Sequence, residues 1–234
     1  MRICFTGLDG SGKSTQSINL LKTLQEKKID VIYRHQFRYE SERIMYWKDK
    51  LRPFIKRAQF LFCIEDSILI ESTILRAIRD NVFWRYIRFP LSHLIAVAVL
   101  YSGLRKATTK YKKFGAHEVF IMDRCFFDEV VRIEWKLGIK IPFRSVWLRV
   151  APTPELVIYF DIPGDKSWER MDPKDTGKIP MVLKEQAYKR LLPSYKKLTD
   201  VRVISIEGKS ISEVASIVND EYKKLASGKV NDLS

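Results

Sequence analysis

Short apolar runs alternate along the chain with longer segments of helical periodicity. Five runs of mostly apolar residues predict buried strands, at 2–6, 29–34, 117–123, 155–162 and 201–206. Between them apolar residues recur every three to four positions and predict helices, at 13–28, 125–136, 165–172, 182–199 and 210–226. Buried strands that alternate with helices form a parallel sheet covered on both faces. The pattern therefore predicts an α/β doubly wound domain that binds its ligands at the carboxyl ends of the strands.

One long stretch, 40–113, interrupts this alternation. It has no glycine before Gly103, and its periodicity is helical almost throughout. We expect Pro53 and Pro90 to divide it into two or three helices. The apolar run 94–101 within it is too short to span a bilayer, and we expect it to form a buried helix.

Composition narrows the class of protein. The 234 residues are enough for one globular domain over 1–234, and 46% hydrophobic with 30% charged residues excludes a disordered or fibrous chain. The net charge of +14 favours an anionic partner, but it is spread along the whole chain, which suits a nucleotide phosphate as well as a nucleic acid. Three cysteines without a C-x-x-C pair predict a reducing compartment, the cytoplasm, rather than disulfides or a zinc site. The apolar opening runs directly into a glycine-rich loop, so we expect no signal peptide.

That loop, GLDGSGKS at 7–14, fits the pattern G-x-x-x-x-G-K-[ST] between a predicted strand and a predicted helix. Its glycines allow consecutive N–H groups to point into one concavity, and the helix that follows adds its positive end. Lys13 is expected to reach the β- and γ-phosphates of a nucleoside triphosphate, and Ser14 to hold Mg²⁺. The predicted nucleotide-binding loop, which would bind ATP in an ATPase or a kinase, comprises Gly7, Leu8, Asp9, Gly10, Ser11, Gly12, Lys13, Ser14 and Thr15.

The third predicted strand separates the classes of protein that share this loop. The chain has no N-K-x-D sequence for reading guanine, which argues against a GTPase. The strand ends in Asp123-Arg124 rather than in the Asp-Glu pair of a motor ATPase. An arginine there can lie between the two phosphate groups that a small-molecule kinase joins, so the sequence favours a kinase.

Four motifs in order along the chain resemble those of the thymidylate kinases: FTGLDGSGKSTQ, VFIMDRCFF, PTPELVIYFDIPGDKSWERM and VRVISIEGKSISEVASIV. The resemblance covers most of the chain except roughly 38–93. It implies a P-loop NTPase fold with a five-stranded parallel sheet, a lid and an enlarged helical segment on the acceptor side. It also implies that the enzyme transfers the γ-phosphoryl group of ATP to dTMP and requires Mg²⁺.

The resemblance assigns roles to the residues that match the motifs of the family. Asp9 would contact the 3′-hydroxyl of the acceptor and help to order the metal. Asp123 would hold Mg²⁺ through water, and Arg124 would bridge the phosphates of donor and acceptor. Arg170 would pack on the adenine of ATP, with the loop Glu207, Gly208 and Lys209 on its other side.

The acceptor is expected to lie against a helix that carries an aromatic residue four positions before an arginine. Tyr101 and Arg105 keep this spacing, so Tyr101 would stack on the base and Arg105 would read it. Arg34, with Arg38 as a rival, would bind the acceptor phosphate. Where the family has a serine this chain has Asp128, which could accept a hydrogen bond from N3–H of thymine.

The P-loop has no arginine between Gly7 and Lys13, and family members of this kind take a positive charge from the lid. The lid here spans about 171–181 and offers Lys174 and Lys178 in place of arginines. We expect one of these lysines to serve as the catalytic cation.

The helical insertion, about 40–93, is longer, more basic and more aromatic than the stretch that family members carry there. It could widen the acceptor pocket, form a homodimer interface or lie on an anionic surface. The rivals to a dTMP kinase are a kinase of dUMP, UMP or a deoxynucleoside, and a non-catalytic P-loop protein that binds nucleic acid or a membrane surface. The last of these is the less favoured interpretation, because the positive charge is not concentrated in one region.

Overall fold

Five parallel strands form the sheet at the centre of the protein in our computed structural model, which describes residues 1–35, 82–114, 117–171 and 178–231. The strands are β1 (Arg2–Gly7), β2 (Val31–His35), β3 (Val119–Asp123), β4 (Leu156–Asp161) and β5 (Asp200–Ser205). They lie in the order β2-β3-β1-β4-β5, and every neighbouring pair is parallel. Each predicted strand is confirmed to within two residues at either end.

The helices between the strands also follow the sequence pattern. In the described part of the chain they are α1 (Lys13–Glu26), α2 (Val82–Phe114), α3 (Phe126–Leu137), α4 (Arg144–Val150), α5 (Gly164–Glu169), α6 (Lys178–Tyr195) and α7 (Ile211–Asn231). Helix α4 was not predicted, because its seven residues bury only Leu148 and leave too short a pattern to recognise. No helix within these ranges combines the length and the apolar character needed to cross a bilayer.

The core lies on both faces of the three central strands. Every residue of β3 is buried, as are most residues of β1 and β4. Phe5 and Phe160 stack across β1 and β4 with ring centres 5.9 Å apart. On α3 and α6, the rings of Phe127 and Tyr195 stack at 4.3 Å. This packing fixes α3 and α6 close to the carboxyl ends of β1 and β3.

Helix α2 departs from the sequence expectation in two ways. Pro90 lies inside the helix and does not end it, so the predicted break at this residue is wrong. Burial of Ala96 and Leu100 on one face of the helix outweighs the hydrogen bond that proline removes. The run 94–101 is buried only on that face, since Leu94 on the other face is 66% exposed.

The strand order determines where a ligand can bind. Strand β1 has β3 on one side and β4 on the other, so the loops that leave β1 and β3 meet at one edge. In open α/β sheets this is the crevice that binds ligands. Most of the predicted insertion and of the predicted lid lies outside the described residues, and both segments stay predictions.

Candidate active site

The loop after β1 has the backbone that a phosphate cradle needs. Gly7 and Gly10 have φ angles of 140° and 77°, which side-chain-bearing residues rarely adopt. A Cβ atom added at Gly7 would lie only 2.8 Å from the Phe160 carbonyl oxygen. One added at Gly10 would lie only 2.6 Å from the Ser167 carbonyl oxygen. The loop therefore packs closely on β4 and α5, and its backbone leads into the positive end of α1.

Lys13, the first residue of α1, turns back over this loop. Its Nζ donates to the Leu8 carbonyl oxygen at 2.8 Å and lies 3.6 Å from Asp9 Oδ1. The side chain is buried, and burial together with the nearby Arg124 guanidinium lowers its pKa to about 8. A buried cation next to other cations is stabilised by an anion, which is what a phosphate group would supply.

Three cations converge on the carboxylate of Asp9, and we call these four residues the Asp9 cluster. Lys184 Nζ donates to Oδ2 at 2.5 Å, the Arg124 guanidinium bonds Oδ1, and Lys13 lies beside Oδ1. Although burial opposes ionisation of this carboxyl, Lys184, Arg124 and Lys13 hold its pKa well below the usual range. The carboxylate therefore stays charged and is the anion that the three cations share.

Arg124 is held in the cluster by its backbone as well as by Asp9. Its φ angle is 72°, and its N–H donates to the Phe5 carbonyl oxygen at 2.9 Å. This left-handed conformation costs about 1–2 kcal/mol for a residue with a side chain. It lets the chain turn sharply from β3 into α3 and directs the guanidinium towards the P-loop. Burial disfavours the charged guanidinium, but Tyr188 and Asp9 together raise its pKa above the ordinary value.

Ser14 and Asp123 form a pair that suits a magnesium ion and its water shell. Ser14 Oγ donates to Asp123 Oδ2 at 2.5 Å, and the Tyr33 hydroxyl donates to the same oxygen at 3.3 Å. Asp123 is fully buried, and its Oδ1 has no hydrogen-bond partner among the described residues. A buried carboxylate oxygen is costly to leave unpaired. A hydroxyl and a carboxylate oxygen are ligands that Mg²⁺ prefers, so these residues fit the predicted metal.

Both carboxylate oxygens of Asp128 accept hydrogen bonds from other groups of the protein. Oδ1 accepts hydrogen bonds from the Thr6 hydroxyl at 2.6 Å and the Tyr188 hydroxyl at 2.7 Å. Oδ2 accepts from the Cys125 N–H at 2.8 Å and closes the capping box at the start of α3. The side chain is buried and joins β1, α3 and α6. The structure therefore provides a structural reason for Asp128, while the predicted contact with the acceptor base stays a prediction.

The thiols of Cys4 and Cys125 lie next to Asp128, and ligand atoms of the three residues fall within 4.8 Å of one another. Both cysteines are free, and burial raises the pKa of Cys4. A protonated thiol is a poor metal ligand, and the Asp128 oxygens are already bonded. These thiols therefore belong to the core. Cys63 lies outside the described residues.

Three of the predicted acceptor residues, Arg34, Tyr101 and Arg105, are exposed and are not part of the Asp9 cluster. Tyr101 and Arg105, which we call the α2 pair, lie one turn apart on α2, and Tyr101 is 57% exposed. Arg34 is not part of the Asp9 cluster, because its guanidinium carbon lies 4.8 Å from the ring centre of Phe114. Arg38, its rival, is outside the described residues.

The residues predicted to surround the adenine lie near the P-loop. Arg170 is the C-cap residue that directly follows α5. Its Cβ lies 3.6 Å from the position that a Cβ atom would take at Gly10. Glu207, Gly208 and Lys209 form an exposed turn after β5. Gln16 of α1 donates to the Ile211 carbonyl oxygen at 2.9 Å, which ties the start of α7, two residues after this turn, to the helix of the P-loop. Lys174 is not described, and Lys178 is the first residue of α6.

Sequence reasoning missed Lys184 and Tyr188, which approach the P-loop from α6. Both are buried, and the Tyr188 hydroxyl also lies 3.3 Å from the Gly7 carbonyl oxygen. The sequence did carry a signal for Lys184, because this lysine lies in the otherwise mostly apolar stripe that forms the buried face of α6. The members of this stripe are spaced three and four residues apart: Met181, Lys184, Tyr188, Leu191 and Tyr195. A lysine in an apolar stripe needs a charged partner, and that requirement points to a site.

Comparison with known proteins supports the fold. No protein-family model matches the chain. A solved structure titled as deoxyadenosine kinase from M. mycoides with bound dATP is similar over 95% of this chain and 99% of that one. The TM-score is 0.56 and the sequence identity 14%. The chain has the fold of a P-loop kinase. As 243 chains of known structure share the likeness, it leaves the substrate open.

Proposed function

We propose that this protein is a Mg²⁺-dependent kinase that transfers the γ-phosphoryl group of ATP to a nucleoside monophosphate, with dTMP as the acceptor. The observation that carries the proposal is the Asp9 cluster: three cations converge at a P-loop, beside the Ser14–Asp123 pair. Positively charged groups placed in advance around a phosphate site are what phosphoryl transfer requires.

The donor half of the reaction follows from the loop. Its backbone N–H groups and Lys13 would bind the β- and γ-phosphates, and Arg170 with the turn 207–209 would flank the adenine. Ser14 and Asp123 would hold Mg²⁺, directly and through water. When bound, this ion neutralises charge on the β- and γ-phosphates.

In the acceptor half, an oxygen of the dTMP phosphate attacks the γ-phosphorus in line. The bond from that phosphorus to the β–γ bridging oxygen breaks, and ADP leaves with the electron pair. The attacking phosphate is already an anion, so no general base is needed. Arg124 would lie between the two phosphates, and the α2 pair would receive the base.

A deoxynucleoside kinase is the second candidate, and two observations favour it. The similar fold described above is that of a deoxyadenosine kinase. Arg34, expected to bind an acceptor phosphate, stacks on Phe114 instead of joining the Asp9 cluster. A nucleoside has no acceptor phosphate and would not need this arginine.

A substrate panel separates the candidates. ADP release is measured with MgATP and dTMP, dUMP, UMP, dAMP, dGMP, thymidine or deoxyadenosine, with EDTA and Lys13→Ala as blanks. We expect dTMP to give the highest kcat/KM, dUMP a lower value, and purine monophosphates none. Higher rates with a nucleoside would select the second candidate. Salt-sensitive binding of DNA or anionic vesicles without any ADP release would contradict a kinase.

A further inference from the structure

Lys184 is a buried lysine whose position calls for a reason beyond stability. It lies on α6, only 6% exposed, with its Nζ 2.5 Å from Asp9 Oδ2. Burial and the nearby Arg124 guanidinium lower its pKa. An apolar residue would fill this place in the stripe of α6 without that cost.

The Asp9 cluster carries more positive than negative charge. Lys13, Arg124 and Lys184 share the single carboxylate of Asp9. Asp123 and Asp128 also lie near enough to attract these cations, but their hydrogen bonds come from hydroxyl groups, of Ser14 for Asp123 and of Thr6 and Tyr188 for Asp128. At Asp9 itself three cations therefore contact one carboxylate, an arrangement that suits a ligand with several negative oxygens.

Lys184 and Lys13 approach the carboxylate of Asp9 from different parts of the protein. Lys13 approaches Asp9 Oδ1 from the P-loop, whereas Lys184 bonds the opposite oxygen from α6. A phosphoryl group near the carboxylate would therefore have Lys13 on one side and Lys184 on the other. Because Lys184 sits on a packed helix, it is in place before a ligand arrives.

We propose that Lys184 is a catalytic residue that binds the transferred phosphoryl group and supplies the positive charge that this P-loop lacks. Asp9 holds the lysine in place, and oxygens of the γ-phosphoryl group compete for its Nζ when the triphosphate binds. The ammonium group forms and breaks no covalent bond, and its contact strengthens as charge develops in the transition state. The inference rests on the proposed function and assigns the role to Lys184 rather than to Lys174 or Lys178.

The test compares Lys184→Met with a matched lysine of the same helix. Lys189 is 59% exposed at its side chain and pairs with Glu185 at 2.6 Å, so Lys189→Met removes an exposed cation that is not part of the Asp9 cluster. We expect Lys184→Met to lower kcat about a hundredfold or more, and Lys184→Arg to restore part of it. Lys189→Met should match the wild type. A kcat within threefold of wild type for Lys184→Met, or a loss confined to Lys174→Met and Lys178→Met, would overturn the proposal.

Binding of MgATP and MgADP, measured by calorimetry, distinguishes a phosphoryl contact from a positioning role. We expect Lys184→Met to reduce the preference for ATP over ADP about tenfold and to leave ADP affinity within twofold. The melting temperature of the Lys184→Met variant should not fall, because the substitution removes a charge that is costly to bury. Equal weakening of both nucleotides together with a lower melting temperature would overturn the proposal. If the wild type phosphorylates no acceptor, the proposed function fails and this binding comparison alone decides the role of Lys184.

Discussion

The two halves of the candidate site are built differently. In the Asp9 cluster, the three cations are mostly buried and are held by a carboxylate, by backbone and by packed helices. The α2 pair, by contrast, lies on an exposed helix face, with Tyr101 57% exposed. Phosphate groups are the same in every nucleotide, so their cations can be fixed before binding, whereas a base needs a surface that can vary. We therefore expect substitutions in the cluster to abolish turnover and substitutions in the α2 pair to alter selectivity.

The largest effect is expected from Lys13→Ala. This substitution removes the charge that would lie next to the β- and γ-phosphates as bonds shift, and should lower kcat about 100- to 1000-fold. Lys22→Ala, an exposed lysine of the same helix, is the control and should keep full activity. Steady-state ADP release measures both, and circular dichroism checks that the fold is intact. Activity of Lys13→Ala within a few-fold of wild type would contradict phosphoryl transfer at this loop.

The cluster also shows how far sequence could predict the site. Lys13, Ser14 and Asp9 lie in one continuous motif, and Asp123-Arg124 ends a strand that the apolar pattern reveals. These residues were predictable because a local pattern places them at adjacent strand ends. Lys184 follows about 60 residues after Arg124, and only the packing of α6 on α3 brings it to Asp9. Contacts that depend on how helices pack cannot be derived from motif spacing alone.

A smaller effect, confined to metal dependence, is expected from Asp123→Asn. The amide keeps the size of the side chain but removes the charge that would hold Mg²⁺ through water. The Mg²⁺ concentration for half-maximal turnover should rise about 10- to 100-fold, with recovery at high Mg²⁺. Asp220→Asn, an exposed carboxylate of α7, should leave the titration unchanged. An unchanged Mg²⁺ titration for Asp123→Asn would exclude Asp123 from the metal site.

On the acceptor side, Tyr101→Ala should weaken binding of every accepted base. Loss of one stacking face costs about 1–3 kcal/mol, so the acceptor KM should rise about tenfold while the KM for ATP stays constant. Leu94→Ala on the same exposed helix is the matched control. Arg105→Ala should instead reduce the preference for pyrimidines over purines. If Tyr101→Ala and Leu94→Ala behave alike, the acceptor does not stack on α2.

The fold was easier to predict from sequence on the donor side than along α2. Buried strands give strong apolar runs, and all five were located. Along α2 the local signals misled, because Pro90 indicated a break and the run 94–101 indicated full burial. Packing of one helix face decides both features, and a single sequence does not say what lies against that face.

The smallest effect on turnover is expected from Asp128→Asn, which tests whether this residue belongs to the base pocket or to the core. Its oxygens join Thr6, Tyr188 and the Cys125 N–H, so removal of the charge should destabilise the protein by about 2 kcal/mol. The melting temperature should fall by about 4–8 °C, against no change for Asp220→Asn. Turnover below that temperature should stay within about threefold of wild type, and the ratio of kcat/KM for dTMP and dUMP should not change. A shifted ratio at an unchanged melting temperature would instead assign Asp128 to the acceptor base, and would show that the α2 pair does not select the substrate alone.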